Sequence, residues 1–88
     1  MSAPVISYVP FDELIASLRA DGLGSEADRL HCLIHKVAWT TGSELVGELG
    51  QEMNKLEQQH GSRLSAGTSA KMKAAFDVVR RVWPDFPR

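Results

Sequence analysis

Three glycines interrupt the most regular helical pattern in this 88-residue chain. Gly42, Gly47 and Gly50 lie in the run from Thr41 to Met53, whose apolar residues otherwise recur at helical spacing. Each glycine inside a helix costs about 0.5–1 kcal/mol relative to alanine. Because small proteins are only marginally stable, several such costs in one helix indicate that a neighbouring surface needs the missing side chains. The glycines therefore favour close packing against this helix.

The composition limits the classes of protein to which the chain can belong. Residues 1–88 suit a single helical domain, because 43% of them are apolar and so short a chain has room for one small core. The net charge of −1 argues against a generally basic nucleic-acid binder. No apolar run approaches the roughly 18 residues of a membrane span, so we expect no membrane contact. The single Cys32 cannot form an internal disulfide, which favours the reducing cytoplasm.

Apolar residues at helical spacing predict an all-α fold, a small bundle of four helices. The first helix begins near Pro10 and ends at Gly22, since proline suits a first helical position and glycine suits a helix stop. The second and third helices, at about 25–39 and 42–60, are expected to be the longer central pair. Gly61 is expected to end the third helix in the left-handed conformation.

The segments outside the helices are expected to fold along the bundle. An extended N-terminal arm precedes the first helix, and a proline-rich tail follows Trp83, where Pro84 disfavours a helical conformation. Thr41 followed by Glu44 has the spacing of a capping box between the second and third helices. One bent helix of about 35 residues is the alternative, but that is long for this chain. We therefore predict a break near residues 39–43.

The third helix has two contrasting faces. Its apolar stripe consists of Leu45, Leu49, Met53 and Leu56. At about 100° per residue, a smooth face lies nearly opposite, and it consists of Gly47, Gly50 and Asn54. This face suits close packing against another helix, within the chain or across a dimer, although exposed glycine or a ligand near the backbone are alternatives. Together with Trp39 on the second helix, these three residues form the predicted interface.

The buried core is predicted from the apolar stripes of all four helices. Its expected members are Leu14, Leu18, Leu30, Leu33, Ile34, Val37, Leu45, Leu49, Met53, Leu56, Met72, Phe76 and Val79. A core this small leaves apolar surface uncovered, and association with a second copy is the usual way to cover it. We therefore expect a homodimer.

The third helix also carries an acidic ridge. Glu44, Glu48 and Glu52 follow one another at spacings of four, so their like charges align and repel unless cations lie opposite. Residues 61–88 are basic, so the ridge fits an acidic helix beside a basic one. The alternative is a patch reserved for a basic partner, as in an immunity or antitoxin protein.

The second helix holds a weak pattern for metal binding or catalysis. His31 and His35 lie one turn apart, and Asp28 or Cys32 could add a third ligand for zinc. Cys32 beside a histidine could also be written as a nucleophile and base, but neighbours on one regular helix leave no oxyanion site between them. We therefore predict no enzyme activity and no cofactor.

The sequence favours a non-enzymatic protein–protein interaction module that acts as a homodimer through the smooth face and Trp39. An immunity- or antitoxin-like protein that uses the acidic ridge is the alternative. A metal-binding or catalytic protein that uses His31 and His35 is a more remote one. Nucleic-acid binding is disfavoured, because the helix after the Thr40–Ser43 turn is acidic where a recognition helix would meet phosphates.

Overall fold

The computed structural model describes residues 8–36 and 42–86. Four helices make up most of this part of the chain: α1 (Val9–Ala20), α2 (Gly24–His35), α3 (Gly42–His60) and α4 (Ala66–Val82). A short 3-10 turn at Gly61–Arg63 joins α3 to α4, and no strand occurs among the described residues. The predicted all-α class is confirmed.

The helices form a small bundle around one hydrophobic cluster. α1 packs against α2 and α4, and α3 packs against the same two helices, so each helix has two neighbours. All four contribute buried side chains to the cluster. Its largest fully buried members are Phe11, Leu14, Leu18, Leu30, Leu49, Met53 and Met72. Burying a side chain of this size stabilises the fold by about 1.5–3 kcal/mol.

Most of the predicted core is confirmed. The predicted residues that are buried are Leu14, Leu18, Leu30, Leu45, Leu49, Met53, Leu56, Met72, Phe76 and Val79. Leu33 and Ile34 are only half-buried, because they pack at the edge of the cluster near the end of α2. Val37 lies outside the described residues. Phe11, fully buried on α1, was not in the predicted set.

The first helix ends as the sequence predicts. Gly22 has a φ of 82°, and its N–H donates to the Arg19 carbonyl at 3.1 Å. The Leu23 N–H donates to the Leu18 carbonyl at 2.9 Å, and both leucine side chains are buried. These two hydrogen bonds and the apolar contact form a Schellman motif, which needs the left-handed glycine. The chain therefore reverses sharply into α2.

The second helix is shorter than predicted, whereas the third has the predicted bounds. α2 ends at His35, and the Lys36 N–H closes its last turn on the Cys32 carbonyl at 2.8 Å. The residues that follow Lys36 are rich in β-branched and aromatic types, which lowers their helix propensity. The two helices are thus separate, and the long pair is α3 and α4 rather than α2 and α3. Thr41, the predicted cap, lies outside the described residues.

The junction between α3 and α4 differs from the prediction. Gly61 does not adopt the left-handed conformation, because Gly22 is the one described residue with a positive φ. The chain instead tightens into the 3-10 turn after His60. Ser65 then caps α4, since its Oγ accepts a hydrogen bond from the Thr68 N–H at 3.2 Å. This cap satisfies one of the unpaired donors at the helix start.

The chain after α4 folds back on the bundle, as predicted for the tail. Trp83 closes the helix by donating its N–H to the Val79 carbonyl at 2.7 Å. The Phe86 N–H then donates to the Trp83 carbonyl at 3.0 Å, which makes residues 83–86 a β-turn with Pro84 in its second position. The predicted N-terminal arm before Tyr8 lies outside the described residues.

Candidate interaction face

Gly50 on α3 lies in close contact with α4 and with the turn that follows α4. A Cβ atom at this position would lie 2.8 Å from Val79 Cγ1 and 3.1 Å from both Cε2 and Cζ of Phe86. A separation below 3.0 Å requires one side to shift, so glycine is the residue that lets Val79 and the phenyl ring come this near. The missing side chain is thus explained by packing within the chain.

Gly47 has the same role one turn earlier. A Cβ atom here would lie 3.2 Å from Trp83 Nε1 and 3.6 Å from Cε2 of the same indole. Gly47 is half-buried and the tryptophan is 36% exposed, so this contact is at the surface. Of the alternatives that the sequence left open, close packing within the chain accounts for both glycines.

Asn54, the third member of the smooth face, borders an open groove of about 400 Å³ between α3 and α4. The other lining residues are Glu57, Lys73, Phe76, Asp77, Arg80 and Phe86. Phe76 and Phe86 stack in the floor with ring centroids 5.9 Å apart. The Arg80 guanidinium carbon lies 5.5 Å from the Phe76 centroid, within range of a cation–π interaction.

The rim of this groove carries balanced charge. Glu57 and Asp77 contribute two carboxylates, and Lys73 and Arg80 contribute two cations. Within the rim, Arg80 Nη1 lies 3.9 Å from Asp77 Oδ1, at the long limit of an ion pair. An aromatic floor with a polar and charged rim is the usual anatomy of a protein–protein interface.

The acidic ridge on α3 is less uniform than the sequence suggests. Glu52 is only 22% exposed, and its carboxylate lies 3.6 Å from Arg29 on α2 and 3.8 Å from Lys55 on its own helix. Glu44 and Glu48 are exposed. The cation opposite Glu52 therefore comes from α2, whereas the sequence pointed to the basic fourth helix.

The histidines of α2 lie against each other with their rings tilted, and they do not assemble a metal site with Asp28. The His31 and His35 ring centroids are 4.5 Å apart. His35 Nε2 faces Asp12 on α1 at 3.7 Å, and Asp28 accepts a hydrogen bond from Arg19 at 2.6 Å. Within residues 8–36 and 42–86, no group of three histidine, cysteine, aspartate or glutamate side chains has the arrangement of a metal site. Cys32 is an exposed thiol on the same helix.

A polar junction between α1 and α4 was missed by sequence reasoning. The Ser65 N–H donates to Asp21 Oδ2 at 3.0 Å across 44 residues of chain. This backbone hydrogen bond, followed by a hydrogen bond from the Thr68 side chain, lowers the pKa of the Asp21 carboxyl. Thr68 is buried at 1% exposure and also accepts from the Ser65 hydroxyl at 3.0 Å. The Ser65–Thr68 spacing is that of a helix cap, so a local pattern could have revealed the cap, but no local pattern points to a partner so distant in sequence as Asp21.

The remaining predicted interface residue, Trp39, lies outside the described part of the chain.

None of the four helices, over the residues described, is long and apolar enough to cross a bilayer. No protein-family model, no curated protein and no solved structure matches this sequence.

Proposed function

We propose that this protein is a non-enzymatic protein–protein interaction module that acts as a homodimer. The groove between α3 and α4 carries the proposal, because it joins an aromatic floor of Phe76 and Phe86 to a charged rim. Aromatic side chains and arginine are the residues that most often dominate binding energy at the centre of an interface. The half-buried Phe86 and the arginine above Phe76 support the proposal, because they are residues of these types at the groove.

The rim charges favour a second copy of this chain as the partner. In a two-fold dimer the same patch meets itself, so a patch with equal numbers of acids and bases can place each against its opposite. A partner of strongly acidic or basic surface would instead leave two like charges of the rim facing it. The surface continues past Phe86 to Trp83 and Gly47. Trp39 remains a candidate for this interface on the sequence alone.

A charge-sorting experiment, in which variants with oppositely charged rims are mixed, tests this proposal. The variant Glu57→Lys/Asp77→Lys has a wholly basic rim, and the variant Lys73→Glu/Arg80→Glu has a wholly acidic one. Each variant alone should dimerise about tenfold or more weakly than the wild type, because like charges then face one another. An equimolar mixture should form heterodimers, which sedimentation velocity and native mass spectrometry detect.

A matched control separates the groove from the rest of the surface. Glu48→Lys changes the charge of α3 as much as Glu57→Lys does, but it lies on the exposed ridge rather than in the groove. We expect Glu48→Lys to leave dimerisation unchanged. A wild-type protein that stays monomeric, or two oppositely charged variants that stay monomeric when mixed, would contradict the proposal.

A neutralising protein for a basic partner is the second candidate function. Glu44 and Glu48 support it, because both are exposed on one side of α3. The pairing of Glu52 with Arg29 counts against it, since this carboxylate of the ridge is already neutralised. We also place the protein in the cytoplasm, because its single cysteine is an exposed thiol rather than part of a disulfide.

A further inference from the structure

The glycines of α3 and the aromatic residues after α4 have matching spacing. Gly47 and Gly50 are three residues apart, which places them about 4.5 Å apart along the helix axis. Trp83 and Phe86 are also three residues apart, at the two ends of a β-turn whose terminal Cα atoms lie within about 7 Å. The indole sits on the first glycine and the phenyl ring on the second. Each of the two glycines on α3 is thus covered by one aromatic ring of the turn.

The turn presents its rings in a preorganised form. The Phe86 N–H donates to the Trp83 carbonyl at 3.0 Å, and Pro84 fixes the backbone at the second position. A segment that already holds its bound shape loses less conformational entropy when it docks. The pattern Trp-Pro-x-Phe is therefore suited to recognition as a short linear segment.

The rings, rather than the residues between them, make the described close contacts with α3. Pro84 and Asp85 are exposed, and Trp83 is 36% exposed. Phe86 reaches deeper, because it lies over Gly50 and stacks on Phe76. Regular helix ends at Val82, so lifting the turn from α3 disturbs only the last turn of α4, which the Trp83 N–H closes on the Val79 carbonyl.

We propose that the face of α3 formed by Gly47 and Gly50, together with Val79 of α4, is a recognition site for segments of the pattern Trp-Pro-x-Phe. The chain's own residues 83–86 occupy the site in cis. A protein partner carrying the same pattern binds there when the chain's own turn lifts. This site does not depend on the proposed homodimer, because a single chain holds both glycines and Val79.

Cis occupancy sets the expected affinities. A segment tethered this closely has an effective concentration in the millimolar range, so a free peptide must compete with it. Binding of a free peptide by the wild type is therefore at least tenfold weaker than binding by a chain whose own rings have been removed. The vacant site contacts only two rings, so we expect a Kd of about 0.1 mM, and an effective concentration of about 1 mM in cis then gives the tenfold difference.

The test uses the full chain with Trp83→Ala/Phe86→Ala and a synthetic peptide of residues 82–88. Titration followed by NMR should give saturable shifts of the Gly47 and Gly50 amides in the variant and at least tenfold weaker binding in the wild type. Two control peptides, one scrambled and one with alanine at both ring positions, should give no saturable shift. Phe86→Ala alone serves as the acceptor if the double variant loses helical circular dichroism.

A glycine substitution locates the binding. Adding Gly47→Ala to the double variant places a Cβ 3.2 Å from the position of the indole Nε1, so peptide affinity should fall severalfold. The three atoms nearest this Cβ all belong to Trp83, which the double variant lacks, and alanine favours the helix, so a loss of binding cannot be attributed to a disturbed α3. A folded acceptor that shows no saturable shift, or that binds the scrambled peptide equally well, overturns the proposal. The charge-sorting result is independent of either outcome, because its variants keep both rings.

Discussion

The two ends of α4 are attached to the bundle by different physical means. At its N-terminal end, Ser65 and Thr68 form hydrogen bonds with each other and donate to the carboxylate of Asp21, the residue that follows α1. At its C-terminal end, Val79 and the turn that follows pack on α3, where two glycines leave room for them. The first attachment depends on polar groups being present, and the second depends on side chains being absent.

This difference determines how each end fails. A polar junction loses the free energy of one or two hydrogen bonds when a partner is removed, and water can replace part of it. A closely packed contact is lost when an atom is added to it, because a dense interior cannot accommodate extra volume without moving. Deletions should therefore be most informative at the N-terminal end of α4, and additions at the C-terminal end.

The largest expected effect is the loss of the C-terminal attachment in Gly50→Val. The new Cβ would lie 2.8 Å from Val79 Cγ1, and the added methyl groups would displace the Phe86 ring. We expect the free energy of unfolding to fall by about 1–3 kcal/mol. For a domain of this size that lowers the melting temperature by about 4–8 °C per kcal/mol, which thermal circular dichroism measures.

Gly67→Val on α4 is the matched control for this substitution. A Cβ at Gly67 would meet only Ser65 Oγ, at 3.9 Å, so the free energy of unfolding should change by less than about 0.5 kcal/mol. Equal melting temperatures for the Gly50 and Gly67 variants would show that Gly50 is not closely packed against Val79 and Phe86 in solution.

The same contrast explains which features the sequence could predict. The apolar period of α3 identifies its core stripe and places Gly47 and Gly50 on the other side, because both properties depend only on local spacing. It does not identify Trp83 and Phe86 as the groups above them, since those lie more than thirty residues later in the chain. The Asp21–Ser65 hydrogen bond was missed for the same reason.

Helix ends were predictable only where a residue forces them. Gly22 ends α1, because the Schellman motif requires its left-handed backbone. The end of α2 was placed too late, since the apolar period runs on through Val37 and Ala38 while the helix ends at His35. At the end of α3, the sequence predicts a left-handed glycine at Gly61, but a 3-10 turn forms there instead. Periodicity thus locates a buried face better than it locates a terminus.

Ser65→Ala tests the polar attachment and should have the next largest effect. It removes the acceptor for the Thr68 N–H at the start of α4. Loss of a serine cap costs about 0.5–2 kcal/mol, which chemical denaturation measures. Ser69→Ala, on the exposed side of the same helix, should change the free energy of unfolding by less than about 0.5 kcal/mol. If the two variants unfold alike, the cap contributes nothing to stability.

Asp21→Asn should have the smallest and the most pH-dependent effect. The Ser65 backbone N–H, and after it the Thr68 side chain, lower the pKa of the Asp21 carboxyl in the folded state. A carboxyl with a lowered folded-state pKa stabilises the protein above its unfolded pKa of about 3.9, and this stabilisation is lost as the pH falls through the folded value. The wild type should therefore be more stable than the variant at pH 7, and the difference should shrink below about pH 4. Urea denaturation at several pH values measures it, and a difference that stays constant down to pH 2 would show that the charge of Asp21 does not strengthen this end of α4.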